Sequence, residues 1–183
     1  MQKLFVLAIA GIAASIAVPS MAAVKSGLAE GASPAPFHVM DVTGPAKGEK
    51  LCYRCKYGSK PTVSIFAREI NDELAQLIKK TDQFVGKNKE AKAAAFVVLL
   101  TDNPDTAETK LKALAKKHNI KNVPLTIFDG KAGPKSYNIA KDADVTVVMW
   151  NKSSVKANHS YKKGELNKDQ MKKIAMSTEK LVK

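Results

Sequence analysis

Arginine is nearly absent from this strongly basic sequence of 183 residues. Lysine and arginine together number 30 against 17 aspartates and glutamates, yet only Arg54 and Arg68 are arginines. Because arginine supplies the planar fork that reads guanine edges and clamps phosphates, this shortage argues against sequence-specific nucleic-acid binding. The net charge of +13 is carried by lysine, which predicts a cationic surface with a weak attraction for polyanions.

Cysteine is also scarce, since Cys52 and Cys55 are the only two in the chain. Two thiolates make half of a zinc site, and the three histidines are scattered along the sequence. Haem attachment usually requires a histidine directly after such a pair, and Lys56 stands there instead. We therefore expect no cofactor and no resident metal, although a copper(I) dithiolate is chemically conceivable.

Hydrophobic runs long enough to span a bilayer are missing. The longest, Leu4–Val18, is shorter than the ~20 residues that a membrane helix needs. Lys3 precedes this run, and the small residues Ser20 and Ala22 follow it, as in a cleavable signal peptide. The sequence therefore predicts a signal peptide over residues 1–22 with cleavage after Ala22. It also predicts a secreted or periplasmic mature protein with no stable membrane span.

The rest of the chain predicts a flexible lead-in over residues 23–36 and one domain over residues 37–183. Apolar and β-branched runs predict strands, and asparagines at three N-cap positions predict the helix starts. The predicted strands are Phe37–Val42, Pro61–Ala67, Ala94–Thr101, Val123–Phe128, Val145–Trp150 and Ser154–Tyr161, and the helices start at Asn71, Asn103 and Asn167. This order predicts an α/β fold in which a mixed central sheet carries helices on both faces.

Three segments carry a resemblance to a known superfamily. Pro34–Phe37 is similar to a redoxin lead-in, and Gly58–Ala67 is similar to the segment that enters the first central strand. Tyr137–Ile139, followed by the predicted hairpin, is similar to the last third of thioredoxins. The chain thus resembles the thioredoxin-like superfamily in its redoxin (peroxiredoxin-like) branch, over roughly residues 36–182. The resemblance implies a three-layer α/β/α sandwich.

The resemblance also implies an active-site cysteine at the start of the helix after the central strand. Arg68, Glu69 and Asp72 occupy that segment, with no cysteine among them. Where the family keeps a cis-proline before the hairpin, this chain has Ala143 and Asp144. We therefore expect a degenerate active-site position at Arg68, Glu69, Asp72 and Asp144. Its charged side chains either are solvated or line a polar pocket.

The two cysteines lie upstream of that position, in a segment (43–60) predicted to be a loop. Gly58 and Pro61 follow so closely that we expect no helix, and hence no helix dipole, at the pair. Four neighbours are candidate supporting residues. The cations of Arg54 and Lys56 would favour a thiolate, and Tyr53 and Tyr57 would shield the pair or offer a flat contact surface.

Three interpretations of the Cys52–Cys55 pair stay open on the sequence. The pair could exchange disulfides with thiol- or disulfide-containing proteins of the cell envelope, which would make the chain a thiol–disulfide oxidoreductase. It could be a structural disulfide in a non-catalytic binding domain. It could also bind a soft metal. The charge pattern does not determine which cysteine would attack a partner.

Overall fold

The computed structural model describes residues 24–183, so the predicted signal peptide lies outside the described residues. Over the described residues the chain forms seven strands and four α-helices. In chain order they are β1 (Val39–Asp41), β2 (Lys50–Leu51), α1 (Tyr53–Tyr57), β3 (Thr62–Ala67), α2 (Asp72–Lys87), β4 (Ala94–Thr101), α3 (Pro104–His118), β5 (Leu125–Asp129), β6 (Val145–Asn151), β7 (Ser154–Tyr161) and α4 (Lys168–Leu181).

All seven strands form one mixed sheet in the order β2-β1-β5-β4-β3-β6-β7. β3, β4 and β5 are parallel, whereas β6 pairs antiparallel with both β3 and β7. The predicted helix starts are confirmed, because Asn71, Asn103 and Asn167 each accept a backbone N–H from the first turn of their helix. The predicted α/β class with a mixed central sheet is therefore confirmed.

Helices lie on both faces of the sheet, but very unequally. The three long helices pack on one face through aliphatic side chains such as Leu77 in α2, Leu111 in α3 and Ile174 in α4. The other face is covered by α1, the lead-in and a single 3-10 turn at Lys135–Tyr137, which together form an aromatic cluster. This second core contains Phe37, Tyr53, Phe66, Phe96, Tyr137 and Trp150.

The lead-in, for which the sequence predicts a flexible segment, is hydrogen-bonded to β7. The backbones of Gly31 and Ala32 exchange hydrogen bonds with Val155 at 2.9 Å each, and the Asn158 side chain donates to the carbonyls of Ser26 and Leu28. An edge strand exposes unpaired backbone groups that another segment can pair with. The lead-in therefore covers the outer edge of β7.

The predicted loop over residues 43–60 contains β2 and the five-residue helix α1, so the argument against a helix beside the cysteines was wrong. α1 fits between Cys52 and Gly58 because glycine adopts positive φ (58°) at the helix end. The Gly58 N–H donates to the carbonyl of Arg54 at 3.0 Å, which closes the helix. Within residues 24–183, no helix is both long enough and apolar enough to cross a bilayer.

Candidate redox site and the degenerate position

Cys52 and Cys55 form a disulfide whose Cα atoms are 5.2 Å apart. Cys52 occupies the N-cap position of α1, and its Sγ accepts the backbone N–H of Cys55 at 3.0 Å. The two cysteines differ in accessibility, because Cys52 is only 9% exposed whereas Cys55 belongs to the exposed surface. Of the two cysteines, Cys55 is therefore the one that is open to solvent.

Tyr53 anchors α1 in the aromatic core. Its side chain is 1% exposed and stacks on Phe96 with ring centroids 5.3 Å apart. Its hydroxyl donates to the carboxylate of Asp41 at 2.8 Å. Burial, and then the hydrogen bond to Asp41, raise the pKa of Tyr53 well above its usual range. Tyr53 is thus a core residue that fixes the helix, and the expectation that it offers a contact surface was wrong.

Tyr57, also predicted to be a supporting residue, is half-buried and packs beside Tyr53. Its ring lies 5.2 Å from that of Tyr53, and burial raises its pKa above the usual range. The exposure of Cys55 shows that the two tyrosines do not together cover the disulfide. Their shared effect is to hold one side of α1 against β4, which leaves the Cys55 side open.

Arg54 and Lys56 differ in what they contact. The Arg54 guanidinium donates to the carbonyls of Pro34 at 2.8 Å and Gly58 at 3.3 Å, so it ties α1 to the lead-in and to its own C-terminal end. Lys56 is exposed, with its Nζ 6.0 Å from the centre of the Tyr53 ring. Lys56 is therefore the solvent-exposed cation of this helix, whereas Arg54 is held against backbone carbonyls.

Asp41 is a residue of this site that sequence reasoning missed. Its carboxylate is 1% exposed and accepts the backbone N–H groups of Gly44 and Ala46 as well as the Tyr53 hydroxyl. The only local signal was an aspartate before a glycine and a proline, a pattern typical of a side-chain-capped turn. The contact with Tyr53 joins residues 12 apart and needed the three-dimensional structure.

The structure brings three of the four residues of the degenerate position together at the carboxyl end of β3. Arg68 donates its backbone N–H to the Asp144 carbonyl at 3.1 Å, and its guanidinium donates to the Ala143 carbonyl. Glu69 pairs with Lys163 at 2.7 Å. Asp72 stands apart, exposed at the start of α2, and no hydrogen bond or ion pair within the described part of the chain joins it to the others.

The charges at this position are only partly withdrawn from water. Burial raises the pKa of Asp144, and the neighbouring Glu69 adds to the rise, whereas Lys163 and Arg68 oppose it. Burial likewise lowers the pKa of Arg68. The segment in which the resemblance implied an active site is thus occupied by a network that holds two loops together.

The cysteine pair and the degenerate position lie at opposite ends of β3. α1 precedes the first residue of this strand, Thr62, and Arg68 follows its last residue, Ala67. A strand of 6 residues at about 3.3 Å per residue spans roughly 20 Å. The two groups of candidate residues therefore cannot act on the same atoms.

We expect Arg68→Ala to lower the free energy of unfolding by about 1–3 kcal/mol, because it removes the guanidinium that donates a hydrogen bond to the carbonyl of the buried Ala143. The reduction potential of the disulfide should not change, because the site is a strand length away. Denaturant unfolding and glutathione equilibration measure the two quantities. Lys163→Ala is the control, because an exposed ion pair contributes little to stability. A changed potential in the Arg68 variant would contradict this separation.

The remaining candidate chemistry is sparse. His159 bonds to the Ser177 hydroxyl at 2.9 Å, and burial lowers its pKa. Within residues 24–183, no three histidine, cysteine, aspartate or glutamate side chains are grouped so that they could hold a metal ion. The disulfide is thus the group in the described structure with an evident chemistry.

No protein-family model matches this sequence, and no curated protein is detectably similar to it. Solved structures do share its architecture. The protein assigned as the thiol:disulfide interchange protein DsbE from Chlorobium tepidum superposes with a TM-score of 0.65 at 12% identity, covering 85% of this chain and 99% of its own. The fold is thioredoxin-like.

Two further structures share this thioredoxin-like fold. A secreted Mycobacterium tuberculosis disulfide oxidoreductase gives a TM-score of 0.54 at 9% identity, covering 79% of this chain and 95% of its own. Peroxidoxin BcpB from the same organism gives 0.57 at 14% identity, with 84% and 97% covered. The resemblance implied by the sequence is therefore confirmed at the level of fold. Within that fold, the cysteine pair precedes the central strand β3 instead of following it.

Proposed function

We propose that this protein is an exported thiol–disulfide oxidoreductase whose redox centre is Cys52–Cys55. The observation that supports it best is the asymmetry of the pair, with an exposed Cys55 and a buried Cys52 whose sulfur accepts a backbone N–H. Exchange needs one sulfur that a partner can attack and one that leaves as a stabilised thiolate. A disulfide that served only as a staple would need neither property.

The proposed reaction oxidises a partner dithiol. A partner thiolate attacks Cys55 Sγ and forms a mixed disulfide, while the Cys52–Cys55 bond breaks and its electron pair passes to Cys52 Sγ. The N–H of Cys55 donates to Sγ of Cys52 in the disulfide state, and a hydrogen bond to a thiolate favours the charged form. The second partner thiolate then attacks the partner sulfur and releases Cys55 as a thiolate. Two electrons thus pass from the partner to the pair, and the partner leaves as a disulfide.

The proposed location is the secreted or periplasmic space. The apolar N-terminal run with its small-residue cleavage site supports export. One of the similar structures is a secreted oxidoreductase. A disulfide persists in oxidising compartments outside the cytoplasm. The proposed partners are accordingly thiol- or disulfide-containing proteins of the cell envelope, with no cofactor needed because the pair itself carries the electrons.

The reduction potential tests this proposal. The mature protein, residues 23–183, is equilibrated with glutathione buffers, and its oxidised form is assayed for oxidation of a peptide dithiol with glutathione disulfide as the terminal oxidant. We expect a potential above about −300 mV and measurable turnover. The Cys52→Ser/Cys55→Ser double variant is the control for turnover. A potential below about −300 mV without turnover would overturn the proposal and support a structural disulfide in a binding domain.

A further inference from the structure

A groove with a volume of about 500 Å³ lies beside the redox helix. Its walls are α1, the turn after β1 and the loop between α3 and β5, and its apolar lining includes Tyr57, Pro45, Ile120 and Pro124. Sites of this size commonly hold ligands. The lining mixes these apolar side chains with polar ones such as Thr43 and Asn122, so the groove offers both kinds of contact to an extended segment of another protein.

The groove is cationic. Lys56 on α1 and Lys121 on the opposite loop both line it and are exposed. No aspartate or glutamate is among the lining residues. A groove lined by charges of one sign attracts ligands of the opposite sign. The arrangement therefore fits a peptide that carries carboxylates and an apolar side chain between them.

Two buried carboxylates hold the walls of the groove in place. Asp41 accepts the N–H groups of Gly44 and Ala46 in the turn after β1. Asp82, which is 7% exposed, accepts the N–H groups of residues 121, 122 and 123 in the opposite loop at 2.6–3.1 Å. Backbone fixed in this way does not have to be ordered when a ligand binds, so less of the binding free energy is lost. The groove is thus pre-formed.

We propose that this groove binds an acidic segment that flanks the reactive cysteine of the partner protein, an inference that rests on the proposed function. Cys55 immediately precedes Lys56 in α1, and consecutive Cα atoms are about 3.8 Å apart. Cys55 is exposed but does not itself line the groove. An extended peptide whose carboxylate pairs with Lys56 and that continues past this end of the groove therefore lies within a few residues of the Cys55 sulfur. Complementary charge at this distance raises the encounter rate and fixes the orientation of the attacking thiol.

Peptide binding tests this groove without any exchange chemistry. Two octapeptides are titrated into the oxidised mature protein, one with four aspartates and glutamates and one with asparagines and glutamines at those positions. Both carry serine in place of cysteine. We expect the acidic peptide to bind at least tenfold more tightly and to shift the backbone amide resonances of Lys56, Tyr57 and Lys121. Equal affinity for the two peptides would overturn the proposal.

Charge reversal separates the groove from the general cationic surface. The Lys56→Glu/Lys121→Glu variant should weaken binding of the acidic peptide roughly tenfold or more. The control, Lys79→Glu/Lys172→Glu, changes the net charge equally at exposed positions of α2 and α4 outside the groove and should bind nearly as the wild type does. An equal loss in both variants would show binding by overall charge and overturn the proposal.

Cysteine-containing versions of the peptides distinguish failure of the groove from failure of the proposed function. Tight binding without mixed-disulfide formation would support the groove and contradict the oxidoreductase proposal. Exchange at equal rates with the acidic and the neutral peptide would support the oxidoreductase proposal and contradict the groove.

Discussion

A Cys52→Ser variant is expected to react with glutathione disulfide on the order of 100-fold faster than a Cys55→Ser variant. In the first variant the free thiol is the exposed Cys55, and in the second it is Cys52, which is 9% exposed. Mass spectrometry of the mixed disulfide over time measures both rates. The expected product of the first variant is stable, because no second thiol is present to resolve it.

Thiolate stabilisation and burial act in opposite directions on the reactivity of Cys52. Their relative sizes determine which variant reacts faster. The N–H bonded to Cys52 Sγ in the disulfide would also stabilise a thiolate at that position. Nucleophilicity falls as the pKa falls, with a Brønsted slope of about 0.4–0.5, so the net gain in rate is small. Burial restricts the approach of glutathione disulfide to Cys52, which is 9% exposed, and we therefore expect access to dominate. A Cys52 thiol that reacts faster in the folded protein would contradict the proposed polarity.

Denaturant provides the control for this comparison. In the unfolded chains both thiols are solvated and have similar neighbours, since Tyr53, Arg54 and Lys56 flank them in the sequence. The two variants should then react at rates within a few-fold of each other. A difference that persisted in the unfolded state would come from the local sequence and not from the fold.

The strands and long helices were predictable because their signals are local. The apolar run at residues 94–101 forms β4 over the predicted range, and the asparagine caps mark the helix starts. α1 was missed because Gly58 was interpreted as a helix breaker, although a glycine one residue past the last turn is also a helix C-cap. A glycine at this position is thus compatible both with a loop and with a short helix that ends just before it.

The unequal covering of the sheet depends on topology. The path β3-α2-β4-α3-β5 moves across the sheet in one direction. Right-handed crossovers in a single direction place both connecting helices on the same face. The opposite face is then left to short segments, and this is where α1 and its cysteines lie. Sequence periodicity does not specify strand order, so it could not predict this placement or which cysteine is exposed.

The final prediction concerns Asp41, which fixes the position of the redox helix. Asp41→Ala should lower the free energy of unfolding by about 2–4 kcal/mol, because it removes the acceptor of three hydrogen bonds and leaves the Tyr53 hydroxyl buried without a partner. Asp82→Ala should cost a similar amount, since Asp82 also accepts several buried N–H groups. Denaturant unfolding measures both.

The two variants should differ in the reduction potential of the disulfide. The hydroxyl–carboxylate contact holds Tyr53, the first residue of α1, and thereby the N–H of Cys55 against Cys52 Sγ. Loosening it weakens stabilisation of the Cys52 thiolate, so Asp41→Ala should make the potential more negative by roughly 20–30 mV, equivalent to about 1 kcal/mol. Tyr53→Phe, which removes one hydrogen bond, should shift it in the same direction by less. Asp82 contacts the loop before β5 and not α1, so Asp82→Ala should leave the reduction potential unchanged. An equal shift of the potential in Asp82→Ala would show that the potential follows global stability and not the anchoring of α1.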